Sequence, residues 1–482
     1  MTFKLTRQRR LSQDDAGRVH GLALRILDEI GIDVPDSGSR RALEVHGFRT
    51  AGSRVFIDPT VADDYVEMMR GWIGSGGSSD KSDDPPAMTL SVSSYALQVH
   101  DLETDGVVPM TTARLVEMTK LVDSLAGEGV VNAPPGIPTE IHPDLQPLAQ
   151  YRIATTTARQ GASPTDPTSD LTVNYLLDMA EVMGRPMHAL PIYIPTPLRF
   201  GGESLRVVMA CLDRLDELHI SSMPSTGASA PLQPFGGLAL GAAEVMGGAV
   251  LAHALTGKRA KFAVGLFPFD LRAGAMVFGA PESLLFQLLC QDLNTFYGWA
   301  WHPAPDNIHV MAKRPDGQAA AEKAAIMALG AALGARHFSC AGTLSLDEIF
   351  SPVQLLLDCE IRDWTARMVQ GVTLGAGDVD DWLGEIRQGV QHGFMALDST
   401  LDHYKEHTWY PQRFERRAIG PWQSEGQPHL SDRLRDEVRR RIAHHDFELD
   451  IHRRREIDRI YQAAEAAIHA RITHPGSPLI AH

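Results

Sequence analysis

The sequence predicts an α/β protein built on a (β/α)8 TIM barrel, with a helical N-terminal arm and C-terminal helices. Three observations predict it. Short apolar or small-residue runs alternate with helical stretches from Met88 to about residue 345. Eight such runs occur, the number that closes a barrel. The nucleotide loops of an open doubly wound sheet, GxxxxGK[ST] or a strand-linked GxGxxG, are missing from the sequence.

Taken in order, residues 1–86 form the arm. Val19, Leu22, Ala23, Ile26, Leu27 and Ile30 follow the i, i+3, i+4, i+7 spacing of an amphipathic helix that ends at Gly31. GFRTAGSRVFIDP gives two short strands about a glycine turn, and Asp58-Pro59 opens another helix. GSGGSSDKSDDPP, residues 74–86, reads as an exposed loop or linker. Residues 87–350 form the barrel domain, with runs at LSVSSYAL, GVVNAPP, ATTTARQ, HALPIYI, HISSMPS, KFAVGLF, TFYGWAW and HFSCAG. Helices are expected between them at 112–124, 170–183, 204–218, 238–255, 281–293 and 318–333. Residues 351–482 form a helical extension that completes or flanks the barrel. Its last part, 431–472, mixes both charge signs on a helical period and reads as a solvated helical pair.

Composition bounds the function. The 482 residues are 44% apolar and 22% charged, enough for a large core. A net charge of -15 opposes binding to phosphate backbones or anionic membrane surfaces, so neither nucleic acid nor membrane is expected as a partner. Cys211, Cys290, Cys340 and Cys359 are too scattered for a disulfide framework or a metal knuckle, which fits a reducing cytoplasm. The basic N-terminus is followed by no apolar stretch of a secretory signal. FGGLALGAAEVMGGAVLAHALTG, residues 235–257, is long enough to span a bilayer but carries Glu244 and His253, so it reads as a buried helix. A homo-oligomer is expected; this helix or the C-terminal helices could each serve as its interface, and either also works in a monomer.

In a barrel, chemistry belongs at the C-terminal ends of the strands. The inventory there includes Tyr95, Asn132, Gln160, Tyr193, Phe267, Trp299, Trp301, His302 and Ser339, many aromatics and few charges. Such a cavity suits an apolar or cationic ligand, because aromatic faces attract quaternary ammonium groups. HExxH, clustered His and Cys, and GxSxG do not occur, so no metal is expected. Asp347 and Glu348 follow the eighth run in a loop over the mouth, where Glu348 is placed to orient a cation.

Several segments carry a resemblance: LALRILDEIGIDVPD, GFRTAGSRVFIDP, MPSTGASAPLQPFGGLALGAAEVMGGAVLAHAL, FGAPESLLFQLLCQDLNTFYG, AKRPDGQAAAEKA and SPVQLLLDCEI. In order and spacing, over about residues 15–425, they resemble the trimethylamine methyltransferase (MttB) superfamily. The resemblance implies a barrel enzyme that moves a methyl group from an amine to Co(I) of a corrinoid, a cobalamin-type cofactor carried by a separate partner protein. With no pyrrolysine in the chain, it points to the branch that demethylates quaternary amines such as glycine betaine. Two departures touch the pocket: Val310, Met311, Ala312 and Lys313 stand where relatives often read Thr/Ser-Asp-Ala-Lys, and TLSLDEIF lacks a Glu-Ser-Gly run.

On this reading Glu348 is the electrostatic catalytic residue, and Tyr95, Phe267, Trp299 and Trp301 cage the ammonium, with His302 beside them. Backbone N–H groups at Ser225, Thr226 and Gly227 are expected either to hold a substrate carboxylate or to form a tight turn. Two other functions fit the sequence: a betaine-binding protein without transfer, and demethylation of a sulfonium or other methylated small molecule.

Overall fold

The structure, a computed structural model, describes residues 5–74, 87–161, 166–300, 305–372, 374–375 and 377–473. Six strands frame the site: β1 (Thr89–Val92), β2 (Val130–Val131), β3 (Ala189–Ile194), β4 (Glu217–Ser222), β5 (Arg259–Phe262) and β6 (His337–Ala341). They form two parallel three-stranded arcs, β6-β1-β2 and β3-β4-β5. Register places buried apolar side chains in line, Phe338 with Leu90 and Val130 in one arc, Leu190 with Leu218 and Ala260 in the other. The period-2 burial of β3 and β4 is what the alternation of their sequences requires.

Where strands stop, amide side chains take over the ladder. Asn132 accepts from Val92 N at 3.0 Å and donates to Val92 O at 3.2 Å. Gln160 likewise accepts from Asn132 N and donates to Val130 O. Asn294 bridges Val264 in the same way, at 2.7 and 3.1 Å. Each Asn or Gln amide carries the donor and acceptor pair of a peptide group, so it satisfies strand-end backbone that has no neighbouring strand.

Two expected strands are not strands among the described residues. ATTTARQ ends the helix Gln146–Thr157, whose residues are buried on nearly every side. That helix has no polar face, so its 3.6 period is hidden and its three consecutive threonines read as β-branched strand residues. TFYGWAW begins inside the helix Pro281–Phe296, and the chain leaves it through Gly298 at φ +100°. The fold is therefore mixed α/β with two parallel arcs, and no eight-stranded ladder joins them among the described residues.

The arm is welded to the arcs. Gln13–Arg25 lies along the helix Pro234–Thr256, where a Cβ on Gly247 would meet Ile32 Cδ1 at 2.3 Å and one on Gly248 would meet Ile194 Cδ1 at 2.6 Å. Those two glycines let the helix sit between arm and sheet. Pro234–Thr256 is long and apolar enough to cross a membrane but is mostly buried inside the fold. Its Glu244 accepts from Thr196 Oγ1 at 2.6 Å and Leu198 N at 2.9 Å, and burial raises its carboxyl above the ordinary value. The loop 75–86 lies outside the described residues.

The C-terminal helices are not merely solvated. Leu430–Ala443 buries Leu434 and Val438, and Ile451–Thr473 buries Ile457, Ile460, Tyr461, Ala464 and Ile468. Arg413, almost wholly buried, joins them to the arcs by donating to Glu128 at 2.8 Å and Glu437 at 2.9 Å. By contrast, Val379–His392 leaves Trp382, Leu383, Ile386 and Val390 exposed.

Candidate active site

Three sequence features build the cavity. First, β1 runs out through Ser93, Ser94 and Tyr95, and Gln150 on the buried helix donates to Ser94 O at 2.7 Å and Gly136 O at 2.8 Å. Second, β6 carries an irregularity between Ser339 and Ala341. Cys340 is thereby pushed out of register at φ +72°, the way a bulge re-aims a side chain. Third, the loop after β6 returns Asp347 over the mouth.

Beneath Cys340 lies a buried polar knot. Lys323 Nζ donates to Asp358 at 2.9 Å and to Cys340 O at 3.2 Å. Gly342 N and Gln354 Nε2 donate to the same carboxylate at 2.7 and 2.8 Å. Both members of the ion pair have no exposed side-chain surface. The knot fixes the bulged backbone from below.

The resulting cavity, about 330 Å³, is lined by Val92, Ser93, Ser94, Tyr95, Asn132, Ile137, Gln146, Pro147, Gln150, Asp166, Thr168, His309, Cys340 and Asp347. At one end the hydroxyls of Tyr95 and Tyr193 both donate to Asp166 Oδ2, the second at 2.6 Å. Burial and then the Asp166 charge hold both phenols above their ordinary value, so they remain donors. Burial pushes the Cys340 thiol up to about 12 and raises the Asp347 carboxyl, with Glu348 adding to the latter. His309 goes the other way: burial, helped by positive Lys323, lowers it to about 4. A larger cavity, about 610 Å³, lies among outer helices against Trp364, Trp409 and Phe414 and receives no strand end.

Of the residues expected from sequence, Tyr95 lines the cavity. Phe267 is one ring removed, stacked at 5.7 Å on Phe278, which in turn meets His309 at 5.3 Å. Trp299 is elsewhere: its Nε1 donates to Phe262 O at 2.8 Å and its ring packs on the core, so the indole caps β5 rather than facing a ligand. Trp301 and His302 lie outside the described residues. Glu348 is exposed and accepts from Ser345 Oγ at 2.9 Å; its neighbour Asp347 takes the position at the cavity.

The Ser225–Ser229 segment is a closed turn. Ser225 N donates to Ser229 Oγ, Thr226 N to Phe267 O, Gly227 N to Ala230 O, and the amides of Ala228 and Ser229 to Ser225 O. No N–H remains for a carboxylate, and Gly227 at φ +81° supplies the left-handed corner. Of its two expected roles, the turn is the one built.

Asp166 and His309 were not singled out from sequence. Asp166 follows Gln146–Thr157 in the chain, and its place beside Tyr95 at a strand end is legible only once that segment is known to be helical. His309 precedes the Val310–Lys313 segment whose departure from the family pattern marked the place.

The family model for trimethylamine methyltransferase (MTTB) matches residues 2–463, and the chain belongs to that family. It is 29% identical over 276 residues to trimethylamine methyltransferase MttB1 of Methanosarcina acetivorans, covering 56% of this chain and 54% of that one. A glycine betaine methyltransferase of Desulfitobacterium hafniense is 26% identical over 235 residues, 48% of each chain. A proline betaine:corrinoid methyltransferase of Eubacterium limosum is 21% identical over 458 residues, 90% of this chain and 93% of that one. The chain thus spans about half the length of the first two relatives. Among the described residues, no group of three His, Cys, Asp or Glu side chains is placed to hold a metal ion.

Proposed function

We propose that this protein is a cytoplasmic methyltransferase that takes a methyl group from a quaternary ammonium compound and delivers it to the Co(I) corrinoid of a separate partner protein. The observation that carries the reading is the Tyr95–Asp166–Tyr193 cluster, of which Tyr95 and Asp166 line the end of the cavity and Tyr193 joins through Asp166: aromatic rings and one carboxylate attract a cation without donating a hydrogen bond to it. The named activities of the relatives support the same reaction class. Four buried free thiols accord with a reducing compartment.

Carried by its partner, the corrinoid would supply the electron pair that bonds the methyl carbon, the C–N pair staying on nitrogen so that the amine leaves neutral. No proton has to move, so the chain's task is binding and aim. Tyr95 and Tyr193 hold the carboxylate still, Asp166 and the rings hold the ammonium, and Gln150 holds the Tyr95 loop. Because charge leaves the substrate during transfer, a cation site that bound too tightly would slow the step. Spending both phenol hydroxyls on Asp166 tempers its charge.

The test is anaerobic mixing with cob(I)alamin and trimethylammonium donors, followed by the spectral loss of Co(I). Transfer that falls at least tenfold in Tyr95→Ala is expected. Transfer indifferent to Tyr95, or a donor bound and never demethylated with the partner present, contradicts the reading.

A further inference from the structure

His309 lines the cavity with both ring nitrogens buried and without a hydrogen-bond partner. Held down to about 4, the imidazole is neutral at pH 7, with one N–H to donate and one bare nitrogen to accept. The Phe278 ring, edge-on at 5.3 Å, covers it on one side. A buried donor and a buried acceptor both left unmade are costly, and a ligand that completes one of them relieves part of the cost. The two nitrogens point away from each other across the ring, so one hydroxyl meets one of them, and it can answer either, donating to the bare nitrogen or accepting from the N–H. A carboxylate only accepts.

The charges around His309 point the same way. Asp166 and Asp347 are acidic, the Cys340 thiol is held up to about 12, and no Lys or Arg is among the described residues lining the cavity. Such a wall attracts an ammonium and repels an anion. The backbone amides that would have received a carboxylate are consumed in the Ser225–Ser229 turn. At about 330 Å³ the cavity is also at the small end of ligand sites, which run from roughly 300 to 1,000 Å³.

We propose that the methyl donor carries a neutral hydroxylated tail on its trimethylammonium group, an amino alcohol of the choline type rather than a carboxylate betaine, and that His309 selects it by hydrogen-bonding that hydroxyl. The proposal rests on the reading of this cavity as the donor site.

Calorimetric titration of the full chain with choline, glycine betaine and tetramethylammonium separates the two claims, because tetramethylammonium has the cation and no tail. Wild type is expected to bind choline at least tenfold more tightly than glycine betaine. His309→Phe is expected to weaken choline by about tenfold and tetramethylammonium by less than twofold, the size of one lost hydrogen bond. Glycine betaine binding as well as choline overturns the proposal, as does a His309→Phe variant that weakens both cations alike or leaves choline unchanged. If tetramethylammonium binds and choline gains nothing over it, the hydroxyl claim fails and the donor site stands. If none of the three binds, the donor-site reading fails and the proposal with it. Should His309→Phe not fold, the wild-type ranking alone decides.

Discussion

The cavity wall and the Ser225–Ser229 turn are both polar, both follow strand ends, and both looked able to hold a substrate. They differ in what their hydrogen-bonding groups have left to give. In the turn every amide from 225 to 229 is answered within the segment or by its neighbours. In the cavity, His309 has two nitrogens unanswered, and Asp166 collects two phenols at one oxygen. Residue type marks where a ligand could bind; unspent valence marks where the fold leaves room for one.

The largest effect tests what holds the wall. Asp358→Ala leaves Lys323 buried and unpaired and frees Gly342 N, so we expect a loss of about 3–5 kcal/mol in urea unfolding. An unchanged midpoint would detach the knot from the fold. Tyr95→Ala removes a cage face directly and is expected to raise the donor Kd about tenfold by calorimetry. If instead Ser225→Ala did so, the two regions would have to trade roles.

Acid pH sharpens the contrast. The neutral form of His309 is favoured by the fold, so its contribution is whole above its unfolded value near 6.5 and is lost as pH falls through about 4. Wild type is therefore expected to lose roughly 2–3 kcal/mol relative to His309→Gln between pH 6.5 and 4, read from denaturation midpoints at each pH. Parallel pH curves for the two proteins would mean that His309 is not buried neutral. The smallest effect belongs to the turn: Thr226→Ala should leave donor affinity within a factor of two, and a larger change would show that the turn faces the ligand after all.

Much of the fold was legible. The helix 112–124, the arm hairpin about Gly52 and the Asp58-Pro59 helix start all lie where periodicity, turn chemistry and capping place them. Six runs became strands because their alternation or apolar character matched a half-buried or buried pleat. ATTTARQ did not, because a helix buried all round has no polar face to announce its period. That one error hid Asp166. Glu348 lost its expected place to Asp347 because a loop held by Ser345 turns successive side chains opposite ways, which composition cannot report. Trp299 looked like a cage residue by type and position, yet its indole N–H was needed at Phe262 O.

The central claim is that the Tyr95–Asp166–Tyr193 end of the cavity binds the donor's cation. Tetramethylammonium titrated into wild type and Asp166→Asn tests it most directly, since the substitution removes one charge and keeps the size and an oxygen for the two phenols. Asp166→Asn is expected to bind tetramethylammonium at least tenfold more weakly with an unchanged unfolding midpoint. Equal affinity in the two proteins would contradict it.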